Sequence, residues 1–152
     1  SQGATVVVDF AHTPDGLAGV LKSARQLTTG AVRVVFGCGG DRDQGKRPVM
    51  GKIATELADF VYVTSDNPRS EDPAKIISAI MEGASHGTGV VRSFVNRADA
   101  IESAISAAEH GDIVVIAGKG HETTQEIQGV MTPFNDVEVA KAALTQQKGK
   151  AT

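Results

Sequence analysis

Residues able to bind a small zwitterion occur in two short segments of the sequence. One contains Arg42 within a glycine-rich stretch, and the other contains Asn67 and Arg69 on either side of Pro68. A guanidinium can donate two parallel hydrogen bonds to a carboxylate, so both arginines are candidates for binding a ligand carboxylate. Pro68 would stiffen its turn and preorganise its neighbours. An ordinary turn explains residues 66–69 equally well, because Asx-Pro pairs often begin turns.

Two glycine-containing loops allow a structural and a functional interpretation each. Residues 41–47 read DRDQGKR, which suits either a solvated loop with local ion pairs or a loop that presents Arg42 to a ligand. Residues 118–122 read GKGHE. The glycines there, beginning with Gly118, permit positive φ and close backbone approach, and Glu122 is an acceptor for an ammonium group. The alternative is a flexible turn with a solvated Glu122.

Asp9 and His12 follow an apolar run near the start of the chain. An acid in this place often hydrogen-bonds a ribose hydroxyl, although Asp9 could equally cap the next turn. No metal-ligand spacing links His12 to His121, and a zinc site would need further ligands. We therefore expect no metal site in this chain.

The elements that must position these residues follow from hydrophobic patterning. Valine- and isoleucine-rich runs alternate with stretches of helical spacing, which is typical of βα units around a parallel sheet. The predicted strands are residues 5–10, 32–36, 60–64, 90–95 and 113–117, and the predicted helices begin at residues 14, 48, 73, 97 and 135. The fourth helix is expected to end at residue 110 and the last at about residue 146. Thr13 is the expected cap of the first helix, and a hairpin is expected around Gly129. The sequence thus predicts an α/β, Rossmann-like fold with a mostly parallel sheet of about five to six strands flanked by helices.

The segments that contain the candidate site residues all follow predicted strands. The carboxyl ends of parallel strands meet at one edge of a sheet, where ligands bind in open α/β folds. The opposite edge carries only residues typical of turns and caps. This segregation favours a composite binding site at one edge.

Composition and motifs exclude several classes of function. The chain has 152 residues, a formal charge of -3 and one cysteine, Cys38, which disfavours nucleic acid as a partner and fits a reducing cytoplasm. No apolar run approaches the roughly 20 residues that span a bilayer, so we expect no membrane association. Residues 37–42, GCGGDR, lack the third glycine of a dinucleotide fingerprint, and neither Gly-Lys pair is followed by the Ser or Thr of a P-loop.

Four ordered motifs carry a family resemblance. Residues 9–15 (DFAHTPD), 36–48 (FGCGGDRDQGKRP), 66–69 (DNPR) and 117–122 (AGKGHE) closely resemble the carboxyl-terminal domain of the Mur ligases of peptidoglycan synthesis. Within that family they are similar to the MurE type, the UDP-N-acetylmuramoyl-L-alanyl-D-glutamate:meso-2,6-diaminopimelate ligases. The resemblance extends from residue 5 to about residue 144.

The resemblance implies a cytoplasmic, monomeric, ATP-dependent ligase. Such enzymes phosphorylate the D-glutamate carboxyl of UDP-MurNAc-L-Ala-D-Glu with ATP, and the amine of the incoming amino acid attacks the acyl phosphate. ATP and Mg2+ are bound mainly by a central ATPase domain, which this chain lacks together with the amino-terminal domain. Residues 1–146 would form the domain that binds the amino acid and closes over ATP, and residues 147–152 a flexible tail. The resemblance thus implies that this domain contains no catalytic residue and is not active by itself.

The resemblance also assigns site residues. Asp66, Asn67, Pro68 and Arg69 match the motif of ligases that add meso-diaminopimelate, helped by Arg42, Gly118 and Glu122, whereas Asp9 and His12 match nucleotide-contacting positions. Two alternatives stay open: a ligase of the same family that adds L-lysine, and a non-catalytic α/β module that binds a small ligand. A Rossmann oxidoreductase is a third, weakened by the failed fingerprint.

Overall fold

The computed structural model of the chain describes residues 3–151, with side chains described for residues 3–146. Strands and helices alternate along it as the hydrophobic pattern predicts. Their bounds in chain order are β1 Thr5–Asp9, α1 Pro14–Leu27, β2 Val32–Phe36, α2 Lys46–Leu57, β3 Phe60–Val63, α3 Pro73–Ala84, β4 Val90–Ser93, α4 Arg97–Ala107, β5 Ile113–Ala117, β6 Thr124–Ile127, β7 Val130–Pro133 and α5 Asp136–Ala151.

Five strands form one parallel sheet in the order β1-β5-β2-β3-β4. β6 and β7 pair separately as the antiparallel hairpin expected around Gly129. Because β5 lies between β1 and β2, the direction of strand order changes there, which is where open α/β sheets bind ligands. The predicted α/β, Rossmann-like fold is confirmed, with five parallel strands.

The core has two layers because successive strand residues face opposite sides of the sheet. Val34 and Val115 pack with helices α1, α2 and α3 on one face, whereas Val35 and Ile116 pack with α4 and α5 on the other. β2 and β5 are buried along their whole length. These two central strands therefore fix the positions of the loops that follow them. No helix among the described residues is long and apolar enough to cross a membrane.

Side-chain caps fix where four helices begin, and at α5 the cap is Asn135, whose Oδ1 accepts from the N–H groups of Val137 and Glu138. The Thr13 hydroxyl accepts a hydrogen bond from the Gly16 N–H at 3.1 Å, so the predicted cap of α1 is confirmed. Asp72 caps α3 and Asn96 caps α4 in the same way. Each cap satisfies an N–H that the helix itself leaves unpaired.

Several boundaries differ from those predicted. α2 begins at Lys46 rather than at Pro48, because Gly45 already has helical φ and ψ. β4 ends at Ser93 rather than at residue 95, because the hydroxyls of Thr64 and Ser65 bind the next two carbonyl groups of that segment. α4 ends at Ala107 rather than at residue 110, because the backbone becomes extended at Ala108. α5 continues past the expected end at residue 146 to Ala151.

Candidate functional site

The loops that follow β1, β2, β3 and β5 surround a cavity of about 650 Å³ at the carboxyl edge of the sheet. Its wall contains most of the residues that the sequence singled out, namely His12, Arg42, Asp66, Asn67, Arg69, Gly118 and Glu122. The parallel sheet brings these distant segments together because the four strand ends meet at one edge. The structure thus brings these segments together around one cavity, and their role in binding a ligand stays a prediction.

Arg69 is held in an unusual backbone conformation. Its φ is 54°, in the left-handed region that residues with a side chain rarely adopt. Two backbone hydrogen bonds to the hairpin stabilise it, from Arg69 N–H to the Glu126 carbonyl at 2.9 Å and from Gln128 N–H to the Arg69 carbonyl at 2.6 Å. One guanidinium nitrogen donates to the Gly40 carbonyl at 2.8 Å. The loop thus orients Arg69 before any ligand binds.

Pro68 stands behind the cavity wall, against Gly40. A Cβ on Gly40 would lie 1.8 Å from the Pro68 carbonyl oxygen, so only glycine permits this approach. The Gly40 N–H donates to the Asn67 carbonyl at 2.7 Å. Pro68 therefore joins the loops after β2 and β3, and it supports the site from outside the cavity.

Asn67 and Glu122 are connected through a buried lysine. Lys119 Nζ lies 3.0 Å from Asn67 Oδ1 and 3.2 Å from Glu122 Oε1. Asn67 Nδ2 donates to the same Glu122 oxygen at 3.3 Å. Lys119 is fully buried, whereas the Glu122 side chain is 39% exposed. Glu122 thus has one oxygen bound within the protein and reaches the cavity.

Asp66 presents a buried carboxylate to the cavity. Burial raises its pKa above the usual value, against the lowering influence of the Arg97 and Lys119 charges. Lys119 Nζ is 3.8 Å from Asp66 Oδ1. A Cβ on Gly118, whose φ is +118°, would lie 2.8 Å from the other carboxylate oxygen. Glycine at position 118 therefore makes room for this carboxylate at the wall.

An ion pair holds the loop after β2. Its acidic partner lies outside residues 41–47, whereas the sequence suggested ion pairs within that segment. The buried Arg47 binds the Glu71 carboxylate through two nitrogens, at 3.0 and 2.8 Å. The hydrogen bonds from Arg47, and one from the Asp41 N–H, lower the pKa of Glu71. Among the described residues Arg42 forms no hydrogen bond or ion pair. Its exposed guanidinium lines the cavity and is free to bind a ligand.

Asp9 and His12 border a second, more open cavity of about 530 Å³ that shares Phe10, His12 and Thr13 with the first. The Asp9 carboxylate accepts a hydrogen bond from the Ala11 N–H at 2.8 Å, so it caps the turn after β1. His12 contacts the Phe10 carbonyl through Nδ1 at 2.9 Å. Capping uses one Asp9 oxygen, and the nucleotide contact predicted for Asp9 and His12 stays a prediction.

A buried ion pair behind the site had no counterpart in the sequence analysis. Arg97 and Asp136 are both fully buried and meet at 2.7 and 2.8 Å. Arg97 also donates to the carbonyls of Ser65 and Ala117, where β3 and β5 lead into their loops. Burial lowers the pKa of Arg97, but the hydrogen bonds and charge of Asp136 outweigh it and raise that pKa overall. This pair therefore fixes two strand ends relative to each other.

The hairpin supplies a further contact that the sequence did not indicate. Gln125 is buried and donates through Nε2 to the Asp66 carbonyl at 2.7 Å. The Glu126 N–H donates to Asn67 Oδ1 at 3.1 Å. Together with the two backbone hydrogen bonds of Arg69 to Glu126 and Gln128, these contacts mean that the hairpin supports the 66–69 segment. Only the hairpin itself, and no feature of Gln125, was visible in the sequence pattern.

Within the part of the chain that the structure describes, no group of three or more His, Cys, Asp or Glu side chains could hold a metal ion. The cavity is instead lined by positively and negatively charged side chains. Arg42 and Arg69 can bind a carboxylate, and Asp66 and Glu122 can bind an ammonium group,. The wall is therefore suited to a ligand group that carries both charges.

Comparison with known proteins identifies the same family that the four sequence motifs resemble. Residues 1–120 match the family described as Mur ligase, glutamate ligase domain. A UDP-N-acetylmuramoyl-L-alanyl-D-glutamate--2,6-diaminopimelate ligase from Chelativorans sp. (strain BNC1) is 52% identical over 145 residues, covering 95% of this chain and 29% of that protein. The protein of the same name from Aquifex aeolicus (strain VF5) is 50% identical over 140 residues, with coverages of 92% and 29%. The chain thus spans about 29% of the length of these relatives.

Solved structures agree. A UDP-N-acetylmuramoyl-L-alanyl-D-glutamate--2,6-diaminopimelate ligase aligns with a TM-score of 0.92 and 44% identity, covering 97% of this chain and 30% of that chain. Escherichia coli FolC in complex with ADP aligns with a TM-score of 0.56 and 18% identity, over 97% of this chain and 30% of that chain, which is a likeness of fold alone. The family match, together with the fold and the motifs at the strand ends, establishes that the chain belongs to the Mur ligase family and represents its glutamate ligase domain.

Proposed function

We propose that this chain is the domain of an ATP-dependent ligase that binds meso-diaminopimelate for addition to UDP-MurNAc-L-Ala-D-Glu. The observation that carries the proposal is that two guanidinium groups, of Arg42 and Arg69, and two carboxylates, of Asp66 and Glu122, line one cavity. The similar proteins from Chelativorans and Aquifex are named as 2,6-diaminopimelate ligases. Both lines of support concern the amino acid rather than the chemical step.

The charges on the wall complement the far end of meso-diaminopimelate. That end carries an ammonium and a carboxylate on one carbon, so it needs an acidic acceptor and a guanidinium fork close together. Glu122 and Asp66 would accept from the ammonium, and Arg69 and Arg42 would donate to the carboxylate. L-lysine has the same chain without that carboxylate. If L-lysine bound in the closed site, a guanidinium would be left without a carboxylate partner. The charges on the wall therefore favour meso-diaminopimelate over L-lysine.

The reaction proposed for the full ligase, meaning the longer enzyme that carries this chain, proceeds through an acyl phosphate. ATP transfers its γ-phosphoryl group to the D-glutamate carboxyl and ADP leaves. The free amine of the amino acid then attacks the acyl carbon, and an amide forms as phosphate departs and the amine loses a proton. In this scheme the cavity holds the distal end of the amino acid and so places its reacting amine.

The domain would also face the nucleotide. Asp9 and His12 border the second cavity beside the amino-acid site, and we propose that they contact ATP when the domain closes over it. Mg2+ would be bound mainly by residues outside this chain. We further propose that residues 1–146 act as this domain, with residues 147–152 as its tail, in a cytoplasmic, monomeric enzyme.

The stoichiometry of ligation tests the reaction class. The full ligase is incubated with UDP-MurNAc-L-Ala-D-Glu, ATP and meso-diaminopimelate, and the masses of the products and the released phosphate are measured. We expect equal amounts of phosphate and of a product that contains the amino acid joined with loss of water. A complex that binds the amino acid but forms no product would instead support a non-catalytic binding module.

A further inference from the structure

Lys119 is a fully buried cation immediately behind the amino-acid site. The described residues that line the cavity do not include it, yet its Nζ contacts three that do. It lies 3.0 Å from Asn67 Oδ1, 3.2 Å from Glu122 Oε1 and 3.8 Å from Asp66 Oδ1. Lys119 is 0% exposed, so its ammonium group interacts with these protein atoms and not with bulk water.

Its contacts determine how two wall residues face the cavity. Asn67 Oδ1 accepts from Lys119 and from the Glu126 N–H, so Nδ2 is the end directed to Glu122. Glu122 Oε1 accepts from both Lys119 and Asn67. These bonds fix the amide orientation of Asn67 and restrain one oxygen of Glu122, while 39% of the Glu122 side chain stays exposed.

Its charge also balances the wall. Asp66 and Glu122 are two carboxylates on the same cavity, and the charge of Lys119 lowers the pKa of Asp66, against burial and the charge of Glu122, which raise it. The cation lies within ion-pair distance of both carboxylates and so offsets part of their like-charge repulsion,. A packed apolar side chain would fill the space at a lower desolvation cost, but it would leave the two carboxylates without this counter-charge.

We propose that Lys119 is a positioning residue that orients Asn67 and Glu122, and supplies a counter-charge to Glu122, for binding of the amino acid's distal ammonium group. The inference rests on the proposed function, because it assumes that the full ligase binds an amino acid in this cavity. It assigns Lys119 no contact with the substrate. Its effect passes through the side chains that it holds.

Steady-state kinetics of the full ligase with Lys119→Met test the proposal. We expect the KM for meso-diaminopimelate to rise at least about tenfold, since charged hydrogen bonds that orient the site are lost. The KM for ATP and kcat should stay within about threefold of wild type, because the reacting groups lie elsewhere. Lys52→Met is the matched control, since Lys52 is exposed and its ion pair, among the described residues, is with Glu56 on the surface of α2.

A double-mutant cycle with Glu122→Gln shows whether Lys119 acts through Glu122. Lys119→Met should raise the KM for diaminopimelate by a clearly smaller factor in the Glu122→Gln background than in wild type. The double variant also removes the Glu122 carboxylate together with its cation, so it leaves fewer unpaired charges than Lys119→Met if that variant alone folds poorly. Lys119→Arg, which keeps the cation, should lie closer to wild type than Lys119→Met.

Three results would overturn the proposal. The first is an unchanged KM for diaminopimelate in Lys119→Met. The second is an equal factor in both backgrounds, and the third is a parallel rise in the KM for ATP; either of these would mean that Lys119 serves the fold alone. Failure of the proposed function gives a different result, since the wild-type enzyme itself would then form no product with diaminopimelate.

Discussion

At the scale of single residues, Asp66 is a group whose burial opposes its ionisation. Burial raises its pKa, and the charges of Arg97 and Lys119 counter only part of this effect. The folded protein therefore holds the Asp66 proton more tightly than the unfolded chain does. The resulting stabilisation is fully present below the unfolded pKa and is lost as pH rises through the folded pKa. A carboxylate kept ionised at this wall thus costs stability and is available for binding.

Asp66→Asn should remove this pH dependence while keeping the shape of the side chain. We expect the free energy of unfolding of the variant to exceed that of wild type by a margin that grows between about pH 3 and about pH 7, the range in which carboxyl groups ionise. Urea denaturation of the chain at a series of pH values measures the margin. A margin that is constant or shrinks with rising pH would contradict the account.

Asp112 provides the control with the opposite sign. Burial alone would raise its pKa, but hydrogen bonds from the N–H groups of Glu109 and Ala31 and from Arg33 outweigh burial and lower it. Stability from Asp112 is therefore present above the unfolded pKa and is lost as pH falls through the folded pKa. We expect Asp112→Asn to be less stable than wild type near neutral pH, with the loss diminishing in acid.

Which residues could be identified from sequence depended on how they reach the site. Arg42, Asn67, Arg69 and Glu122 were found because each lies in a loop after a predicted strand, and strand ends converge by topology alone. Lys119 and Gln125 were missed because their contacts join loops that are far apart in sequence. A lysine between two glycines is usually solvated, and only the packed loops show that this one is buried.

At the scale of elements, the Arg97–Asp136 pair connects the start of α5 to the ends of β3 and β5. Both side chains are fully buried. Removal of one partner from such a pair leaves a charge without compensation, which costs about 3–5 kcal/mol. The pair therefore matters for the relative placement of two loops of the site as well as for stability.

Arg97→Met should accordingly lower the free energy of unfolding by about 3–5 kcal/mol. Arg25→Met is the matched control, because the Arg25–Asp59 pair is nearly half exposed on both sides and should lose at most about 1 kcal/mol. Chemical denaturation of the two variants under the same conditions makes the comparison. Equal losses in both variants would show that burial of the Arg97 pair has no special weight.

Two glycines on different helices give a second comparison at this scale. A Cβ on Gly83 of α3 would lie 1.7 Å from the Pro48 carbonyl oxygen of α2, whereas a Cβ on Gly19 of α1 meets nothing within 4 Å. Gly83→Ala must push α2 and α3 apart, and α2 follows the loop that carries Arg42. Gly19→Ala only replaces a poor helix former with a good one.

We expect Gly83→Ala to destabilise the fold by about 1–3 kcal/mol and Gly19→Ala to stabilise it by about 0.5–1 kcal/mol. Thermal unfolding of the chain measures both changes, which should be opposite in sign. A neutral Gly83→Ala would mean that the α2 and α3 contact adapts without cost.

Element types were predictable from hydrophobic period, and some element ends were not. β2 and β5 begin and end where predicted, because both are continuous buried apolar runs. β4 is shorter than predicted because side-chain hydroxyls of Thr64 and Ser65 replace strand pairing at its end. Such replacement depends on a neighbouring strand, so a pattern within one segment does not reveal it.

At the scale of the whole molecule, the proposed function requires the cavity to meet both ATP and the second substrate. The chain spans about 29% of the length of its curated relatives. The proposed nucleotide contacts, Asp9 and His12, lie at the rim that the second cavity shares with the first. ATP bound elsewhere in the full ligase would then draw this domain towards it.

Small-angle X-ray scattering of the full ligase measures this closure. We expect the radius of gyration to decrease when ATP and both substrates are added, because a domain that closes over a ligand makes the molecule more compact. Asp9→Ala should reduce the contraction if Asp9 contacts the nucleotide. An unchanged radius of gyration with all ligands bound would contradict the role of the domain as a lid.

The central claim is that the wall selects an amino acid with a zwitterionic far end, and the ATP-dependent ligation rates with meso-diaminopimelate and L-lysine test it most directly. We expect the wild-type full ligase to prefer diaminopimelate strongly. Arg69→Ala should raise the KM for diaminopimelate at least about tenfold, from the loss of about 1.5–3 kcal/mol of charged hydrogen bonding. Preference of the wild type for lysine, or an unchanged KM for diaminopimelate in Arg69→Ala, would contradict the claim.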